Sequence, residues 1–138
     1  MALKTIQPYI SIDGGKGREA IALYEKALGA KVERLMQWDE CPMDIPAERK
    51  GLVMHCEIVT GDLKIMLCDA PDGSEKGCQV SITLGFDEVE TMTKSFETMV
   101  EGGKVIMPIE DAFWGDKFGM LEDRYGVRWM FVCPQTKG

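Results

Sequence analysis

The chain has 138 residues, of which 45% are hydrophobic and 28% are charged, and this is the size and composition of one ordinary globular domain. These proportions exclude an intrinsically disordered chain, and no apolar run approaches the ~18 residues that a membrane-spanning helix needs. The 16 basic and 23 acidic residues give a net charge of −7, which disfavours attraction to nucleic-acid phosphates. We therefore expect neither a membrane nor a nucleic acid as a partner.

The first half of the chain predicts a strand, a helix and a second strand. Residues 5–12 alternate in polarity, as a half-buried strand does. Apolar residues then recur at helical spacing over residues 20–28, and Gly29 follows at the position where helices commonly end. Residues 31–38 resume an extended pattern, and two prolines predict a loop over residues 41–46.

A β-hairpin follows. Two extended segments, 52–60 and 63–69, flank the dipeptide Gly61-Asp62, which is typical of a two-residue turn with glycine first. A turn of that length sets the strand register, and the residues it places opposite each other are Ile58 and Ile65, Cys56 and Leu67, Glu57 and Met66, and His55 and Cys68. One face of this hairpin is therefore apolar, and the other combines a histidine, a carboxylate, a thioether and a thiol.

The second half of the chain repeats this order of elements. Residues 79–84 alternate as a strand does. A helix is predicted to begin at a cap on Asp87, with Glu90 in the capping-box position, and to end at the glycine pair 102–103. Three more strands are predicted near 104–109, 118–122 and 127–133.

The two halves also share a weak internal repeat. Residues 24–32 and 96–105 both pass from the end of a helical pattern into an extended one, at an offset of 96 − 24 = 72 residues. The prediction is an α+β fold in which a single domain, 1–138, consists of two βαβββ modules, 1–70 and 78–134. The polar segment 69–77 is interpreted as the linker between the modules.

Several motifs of the chain resemble one protein family. The first module contains Tyr24-Glu25-Lys26-Ala27-Leu28-Gly29-Ala30, and its hairpin contains Met54-His55-Cys56-Glu57, which is similar to the Met-His-Ala-Glu strand of the family's PhnB-like branch. The second module contains Gly102-Gly103-Lys104-Val105-Ile106-Met107-Pro108, Phe113-Trp114-Gly115, Phe118-Gly119 and Asp123-Arg124-Tyr125-Gly126-Val127-Arg128-Trp129-Met130. With the duplicated βαβββ pattern, these motifs make the chain resemble the PhnB-like branch of the vicinal oxygen chelate superfamily, which includes glyoxalases, bleomycin-resistance proteins and extradiol dioxygenases.

The resemblance implies a glyoxalase-like fold in which each module curls its mixed sheet into half a cup, with the helices outside, and the paired cups enclose a cavity. Metal-dependent members of the superfamily place one histidine, glutamine or glutamate on each of four strands. The residues at these positions are Tyr9, Met66, Ser81 and Met130. Because divalent cations prefer carboxylate and imidazole ligands to thioethers, we expect no divalent metal and no other cofactor.

His55 is the only histidine of the chain and the centre of the site that we predict. It shares one face of its strand with Glu57, and this pair offers a general base beside an acid. Cys68, across the hairpin, could act as a nucleophile with His55 or complete a zinc site. The non-catalytic interpretations are that His55 is a structural histidine and that Cys68 is a buried thiol. The sequence leaves these alternatives open.

A second group of candidate residues is aromatic or carries a thioether. Trp114 and Phe118 flank Gly115, and aromatic side chains beside a glycine in a loop suit the wall of a ligand cavity as well as a core. The residues expected to line the cavity are Tyr9, His55, Glu57, Met66, Cys68, Ser81, Trp114, Phe118 and Met130.

The leading hypothesis is a PhnB-like protein that binds a small-molecule ligand without the usual metal. The alternative is a lyase-type or dioxygenase-type enzyme whose site has moved to His55, Glu57 and Cys68. The resemblance also implies a homodimer. Five cysteines without a Cys-x-x-Cys pair, and N-terminal residues without a signal-peptide pattern, lead us to expect a cytoplasmic protein with reduced thiols.

Overall fold

The computed structural model of the protein describes residue 3 and residues 6–40, 44–70 and 80–135. The chain divides into two units, Met1–Glu75 and Lys76–Gly138. Among the residues described, each unit has one α-helix and one four-stranded mixed sheet. Within the described ranges, no helix is long and apolar enough to cross a membrane.

The first unit begins with a strand and a helix and continues with three strands. Its elements are β1 (Tyr9–Ile12), α1 (Gly17–Leu28), β2 (Lys31–Gln37), β3 (Val53–Thr60) and β4 (Leu63–Asp69). Two short 3₁₀ turns, Trp38–Glu40 and Ala47–Arg49, lie between β2 and β3. The strand order across the sheet is β1-β4-β3-β2, in which β1 runs parallel to β4 and the other neighbours are antiparallel.

The second unit repeats this arrangement. Its elements are β5 (Ile82–Gly85), α2 (Val89–Met99), β6 (Lys104–Asp111), β7 (Asp116–Glu122) and β8 (Arg128–Pro134). The strand order is β5-β8-β7-β6, with β5 parallel to β8 and the other neighbours antiparallel. Both units therefore have the same βαβββ topology, and the predicted α+β fold of two such modules is confirmed.

Both helices are amphipathic and pack one face on their own sheet. The residues of α1 at helical spacing, from Ala20 through Tyr24 to Ala27, are buried, and α1 contacts β3. Gly29 ends this helix in the left-handed conformation, at φ 63°, and its N–H donates to the carbonyl of Glu25, as the sequence predicts. In the second unit, Phe96 of α2 packs edge-on against Phe131 of β8 at a centroid distance of 5.1 Å.

The predicted hairpin register is confirmed where the two strands pair. Cys56 lies opposite Leu67, Glu57 opposite Met66, and Ile58 opposite Ile65. Cys56, Ile58 and Leu67 are buried, whereas the alternate residues between them are half-buried. The apolar face of the first sheet therefore packs toward α1, and its mixed polar face points the other way.

Asp69 belongs to strand β4, as the predicted extended segment 63–69 has it, and the interpretation that the linker begins at this residue was wrong. It is the last residue of β4 and is only 2% exposed. One carboxylate oxygen accepts a hydrogen bond from the N–H of Gly17 at 2.7 Å, and the other accepts from the N–H of Val53 at 2.8 Å. Gly17 opens α1 and Val53 opens β3, so the carboxylate satisfies two buried donors and joins three elements. Residues 71–79 of the proposed linker lie outside the described residues.

The boundaries of α2 and β5 also differ from the prediction. The N-cap of α2 is Glu88 rather than Asp87, and it makes no side-chain capping bond. Strand β5 begins at Ile82, so residue 80 and Ser81 of the predicted strand precede it, and residue 79 lies outside the described residues. In the predicted loop 41–46, residues 44–46 are irregular, and residues 41–43 lie outside the described part of the chain.

Candidate functional site

The candidate site is the face of the first sheet opposite α1, which we call the polar face. It is defined by the side chains of Tyr9, Ser11, His55, Glu57, Lys64, Met66 and Cys68. Tyr9 and Met66 are register partners on the parallel strands β1 and β4, and Met66 is in turn the partner of Glu57 on β3. Three adjacent strands therefore bring these residues together.

A continuous chain of hydrogen bonds runs across the polar face, and we call it the polar chain. The Tyr9 hydroxyl lies 2.9 Å from Nδ1 of His55, and Nε2 of His55 lies 2.8 Å from Oε2 of Glu57. The ammonium of Lys64 donates to Oε1 of Glu57 at 3.0 Å and lies 3.6 Å from Glu33. Because the side chains of His55 and Glu57 are only 23% and 16% exposed, water competes weakly for these bonds.

The charge of Glu57 determines the direction of the bonds. Hydrogen bonds from His55 and then from Lys64 hold the pKa of Glu57 below its ordinary value, and the bond to Glu57 raises the pKa of Lys64. Glu57 is therefore ionised near neutral pH and can only accept hydrogen bonds. It follows that Nε2 of His55 carries a proton and donates a hydrogen bond to Glu57. In the neutral imidazole, Nδ1 is then an acceptor.

Tyr9 supplies the hydrogen for that acceptor. Burial, and to a smaller extent the nearby Cys68, raises the pKa of the Tyr9 hydroxyl above its ordinary value. The phenol therefore stays protonated and donates a hydrogen bond to Nδ1 of His55. The Tyr9 and His55 rings lie 5.6 Å apart with a tilt of 41°. Tyr9 is nevertheless 50% exposed, and it is the end of the polar chain that a ligand can reach.

Cys68 lies beside this end of the chain. Its sulfur is 4.0 Å from the Ser11 hydroxyl, and its nearness contributes to the raised pKa of Tyr9. Both ring nitrogens of His55 are already bonded to other groups, Nδ1 to Tyr9 and Nε2 to Glu57. To activate Cys68 or to bind zinc, His55 would have to give up one of these bonds, so the geometry favours the polar chain over a Cys68–His55 pair.

The positions at which metal-dependent superfamily members carry ligands do not fit a divalent cation. The Tyr9 hydroxyl is engaged with His55, and Met66 offers a thioether. In the second unit, the Met130 thioether lies 3.8 Å from the Thr83 hydroxyl, whereas Ser81 lies outside strand β5. No group of three or more histidine, cysteine, aspartate or glutamate side chains is arranged to hold a metal ion among the residues that the structure describes.

The equivalent face of the second sheet lacks the polar chain, although Arg128, at the place of Lys64, lies 3.4 Å from Glu122 of β7. Met130 has the same place in β8 as Met66 has in β4, and its register partners are Thr83 on β5 and Met120 on β7. Thr83 therefore corresponds to Tyr9, Met120 to Glu57, and Phe118, two residues earlier on β7, to His55. The hydrogen-bonding groups of the polar chain have no counterpart on β7, although the topology and the pairing are the same.

An aromatic cluster lies at the turn between β6 and β7. Trp114 meets Phe113 edge-on at 5.0 Å and Phe118 at 5.5 Å, and its indole N–H donates to Asp116 at 3.1 Å. Phe113 is 97% exposed and Trp114 is 53% exposed, so this cluster is on the surface of the chain rather than in a core. Gly115 adopts a φ of 102°, which permits the tight turn that presents these rings.

The sequence prediction missed Ser11 and Lys64, which belong to the polar face, and Glu33, which lies beside it. Lys64 was identifiable, because residues 64, 66 and 68 alternate onto one face of β4. Glu33, which lies beside Lys64, was not, because it sits at an irregularity in the pairing of β2 with β3. The contact between Tyr9 and His55 depends on the parallel pairing of β1 with β4, which no local pattern shows.

Comparison with known proteins agrees with this topology. Residues 8–131 match the model of the Glyoxalase/Bleomycin resistance protein/Dioxygenase superfamily. Protein YjdN of Escherichia coli (strain K12) is 26% identical in an alignment 136 residues long, and the match covers 91% of this chain and 92% of that protein.

Solved structures of related proteins give the same result. Protein PA1353 from Pseudomonas aeruginosa is 34% identical, with a TM-score of 0.86 over 97% of this chain and 100% of that chain. The PhnB protein of Bacillus cereus, which also carries a 3-demethylubiquinone-9 3-methyltransferase label, is 21% identical, with a TM-score of 0.79 over 94% of this chain and 99% of that chain. A likeness at that identity shows the fold alone. With its family match and its duplicated βαβββ topology, the chain belongs to the glyoxalase/bleomycin resistance protein/dioxygenase superfamily.

Proposed function

We propose that this protein is a PhnB-like small-molecule-binding protein that works without the divalent metal of many superfamily members. The observation that carries the proposal is the polar chain from Tyr9 through His55 to Glu57 and Lys64. It occupies the polar face of the first sheet, where Tyr9 and Met66 replace metal-ligand residue types.

The composition of the polar face supports binding of a ligand that is partly polar and partly apolar. Ligand sites are commonly apolar surfaces with a few fixed polar groups. Here Met66 and Cys68 supply soft apolar contact, and the hydroxyl of Tyr9 is a polar group held in place by His55. Because Glu57 and Lys64 neutralise each other, the site favours an uncharged ligand over a fully charged one.

A second proposed binding surface lies on the second unit. It consists of Ser81, Trp114, Phe118 and Met130, and the aromatic pair Trp114 and Phe118 supports contact with apolar or aromatic ligand groups. We further propose that the protein is a homodimer, as its superfamily resemblance implies, and that it is cytoplasmic, which its cysteines without a Cys-x-x-Cys pair support. The enzymatic alternative, with His55, Glu57 and Cys68 as a relocated site, is less well supported because both nitrogens of His55 are engaged.

The proposal is tested by titrating the protein with neutral aromatic fragments. Binding is monitored through the NMR signals of ¹³C-labelled methionine methyl groups. The spectrum of the wild-type protein should show ligand-induced shifts of the Met66 methyl, identified by a Met66→Leu variant. Tyr9→Phe should weaken the binding by about tenfold, which is the effect of losing one hydrogen bond to the ligand. The matched control is Lys94→Ala, which removes an exposed ion pair with Glu90 on α2.

Elemental analysis of the purified protein distinguishes the two candidate functions. We expect no stoichiometric transition metal in the wild-type protein. More than about half an equivalent of one metal, lost in a His55→Gln variant, would contradict the proposal and support the relocated metal site. Fragments that bind without shifting the Met66 methyl signal, or that bind Tyr9→Phe as tightly as the wild type, would also contradict the proposed location.

A further inference from the structure

We propose that Tyr9, His55 and Glu57 form a proton relay that accepts a proton from a weakly acidic hydroxyl group of the ligand, such as a phenol or an enol, and holds the resulting anion at Tyr9. This inference rests on the proposed binding function and adds to it the chemical class of the ligand and the direction of the proton. Of its three groups, Tyr9 occupies one of the four metal-ligand positions, whereas His55 and Glu57 occupy none of them.

The geometry of the relay is complete on the protein side. Both of its links, 2.9 Å from Tyr9 to His55 and 2.8 Å from His55 to Glu57, are normal hydrogen-bond distances. The ionised Glu57 fixes the proton on Nε2 of His55, which leaves Nδ1 as the base. Nδ1 faces Tyr9, so a proton can reach it from a ligand through the Tyr9 oxygen.

The proton balance requires no other reactant. The ligand O–H bond breaks and its proton bonds to the Tyr9 oxygen, while the Tyr9 O–H bond breaks and that proton bonds to Nδ1 of His55. The electron pair of the broken ligand bond stays on the ligand oxygen as an anion. His55 becomes an imidazolium, which the carboxylate of Glu57 stabilises, and Tyr9 remains a neutral phenol that donates to the anion.

The surrounding charges favour a ligand that arrives neutral. On β4, Lys64 is paired with Glu57 and lies near Glu33 of β2, so its charge is already balanced. Arg34 of β2 is the register partner of Glu57, and the thiols of Cys68 on β4 and Cys56 on β3 both contribute to the raised pKa of Tyr9. A neutral weak acid that binds at Tyr9 gains the charge pair that proton transfer creates.

The second sheet indicates that folding does not require these polar residues. Phe118 and Met120 occupy the places of His55 and Glu57, and β7 pairs with β8 in the same register. Burying polar groups without need costs stability, so their presence on one sheet and their absence from the equivalent strand of the other point to a role in binding. This comparison is independent of the hydrogen-bond geometry.

The experiment uses two matched probes, 4-nitrophenol and 4-nitroanisole. They have the same ring, but 4-nitroanisole lacks the acidic proton, and the phenolate form of 4-nitrophenol is recognised by its visible absorbance. We expect the wild-type protein to bind 4-nitrophenol more tightly than 4-nitroanisole. The acid dissociation constant of bound 4-nitrophenol should be at least tenfold higher than that of the free probe. At the same time, the ¹⁵N signal of Nδ1 in His55, the sole histidine, should change to that of a protonated nitrogen.

Variants separate the relay from binding itself. His55→Gln should still bind both probes, and Tyr9→Phe should bind them about tenfold more weakly. In both variants the acid dissociation constant of bound 4-nitrophenol should be close to that of the free probe, whereas Lys94→Ala should behave as the wild type. Equal binding of the two probes, or ionisation that persists in His55→Gln, would overturn the relay and leave the binding function standing. If neither probe binds the wild-type protein, the proposed class of ligand is wrong and so is the relay.

Discussion

Replacing Asp69 by alanine tests how the polar face is held in place. The carboxylate is buried at the end of β4, the strand that carries Lys64, Met66 and Cys68, and it accepts hydrogen bonds from the N–H groups of Gly17 and Val53. Alanine would leave both buried donors without a partner. The substitution therefore loosens the start of α1 and the start of β3 relative to β4.

The magnitude follows from the number of bonds. A hydrogen bond to a charged group contributes about 1.5–3 kcal/mol, so two of them contribute about 3–6 kcal/mol. Relief from burying the carboxylate offsets part of this loss, and we expect Asp69→Ala to lower the free energy of unfolding by about 3–5 kcal/mol. Asparagine keeps one acceptor oxygen but turns an N–H₂ group toward one donor, so Asp69→Asn should cost about half as much.

The assay is urea denaturation at neutral pH, followed by far-UV circular dichroism and tryptophan fluorescence. The matched control is Asp44→Ala, an exposed aspartate of the same unit, which should change stability by less than about 0.5 kcal/mol. A loss below about 1 kcal/mol for Asp69→Ala would refute the reasoning. So would equal losses for the alanine and asparagine variants, because the account depends on the number of accepted bonds.

Three further predictions concern packing, pH and thiol reactivity. Gly103→Ala would place a methyl group 2.2 Å from the carbonyl oxygen of Glu122 and should destabilise the protein by about 3 kcal/mol in urea denaturation, whereas Gly85→Ala, with open space around it, should cost less than about 1 kcal/mol. The pKa of Glu57 is lower in the folded state than in the unfolded state, so Glu57 stabilises the fold above its unfolded pKa and stops doing so as the pH falls through its folded pKa. The difference in stability between the wild type and Glu57→Gln should therefore shrink on acidification below about pH 4.5. A difference that grew on acidification would contradict this explanation. Burial raises the pKa of Cys56 to about 11, so about one Cys56 thiol in a thousand is a thiolate at about pH 8. Peptide mapping after brief alkylation with iodoacetamide should therefore find Cys68 labelled well before Cys56. Labelling in the reverse order would contradict the structure.

Local patterns predicted those parts of the fold that depend on neighbouring residues. The dipeptide Gly61-Asp62 and the alternation on either side were sufficient for the hairpin and its register, because a short turn leaves the strands little choice of pairing. Gly29 was identified as the end of α1 for the same reason, since its left-handed conformation is a local requirement. His55 and Glu57 were therefore placed together on one face correctly.

Contacts between distant segments were beyond such patterns. Asp69 looks like the start of a polar linker, because the donors that it satisfies, on Gly17 and Val53, lie 52 and 16 residues away. The bond between Tyr9 and His55 spans 46 residues and requires β1 to pair with β4. At α2, Asp87 and Glu88 are adjacent acidic residues, and the local capping signal chose the wrong one of the two. Long-range pairing thus decided what short-range chemistry left open.

The protonation of His55 tests the central claim most directly, because every step of the account depends on the bonds at its two ring nitrogens. The ¹⁵N spectrum of this single histidine, recorded at about pH 8, where an ordinary imidazole is neutral, reports which nitrogen carries the proton. The account predicts a protonated Nε2 and an unprotonated Nδ1, with the Nδ1 signal shifting in Tyr9→Phe as its hydrogen bond is lost. A protonated Nδ1, or a spectrum that Tyr9→Phe leaves unchanged, would contradict it.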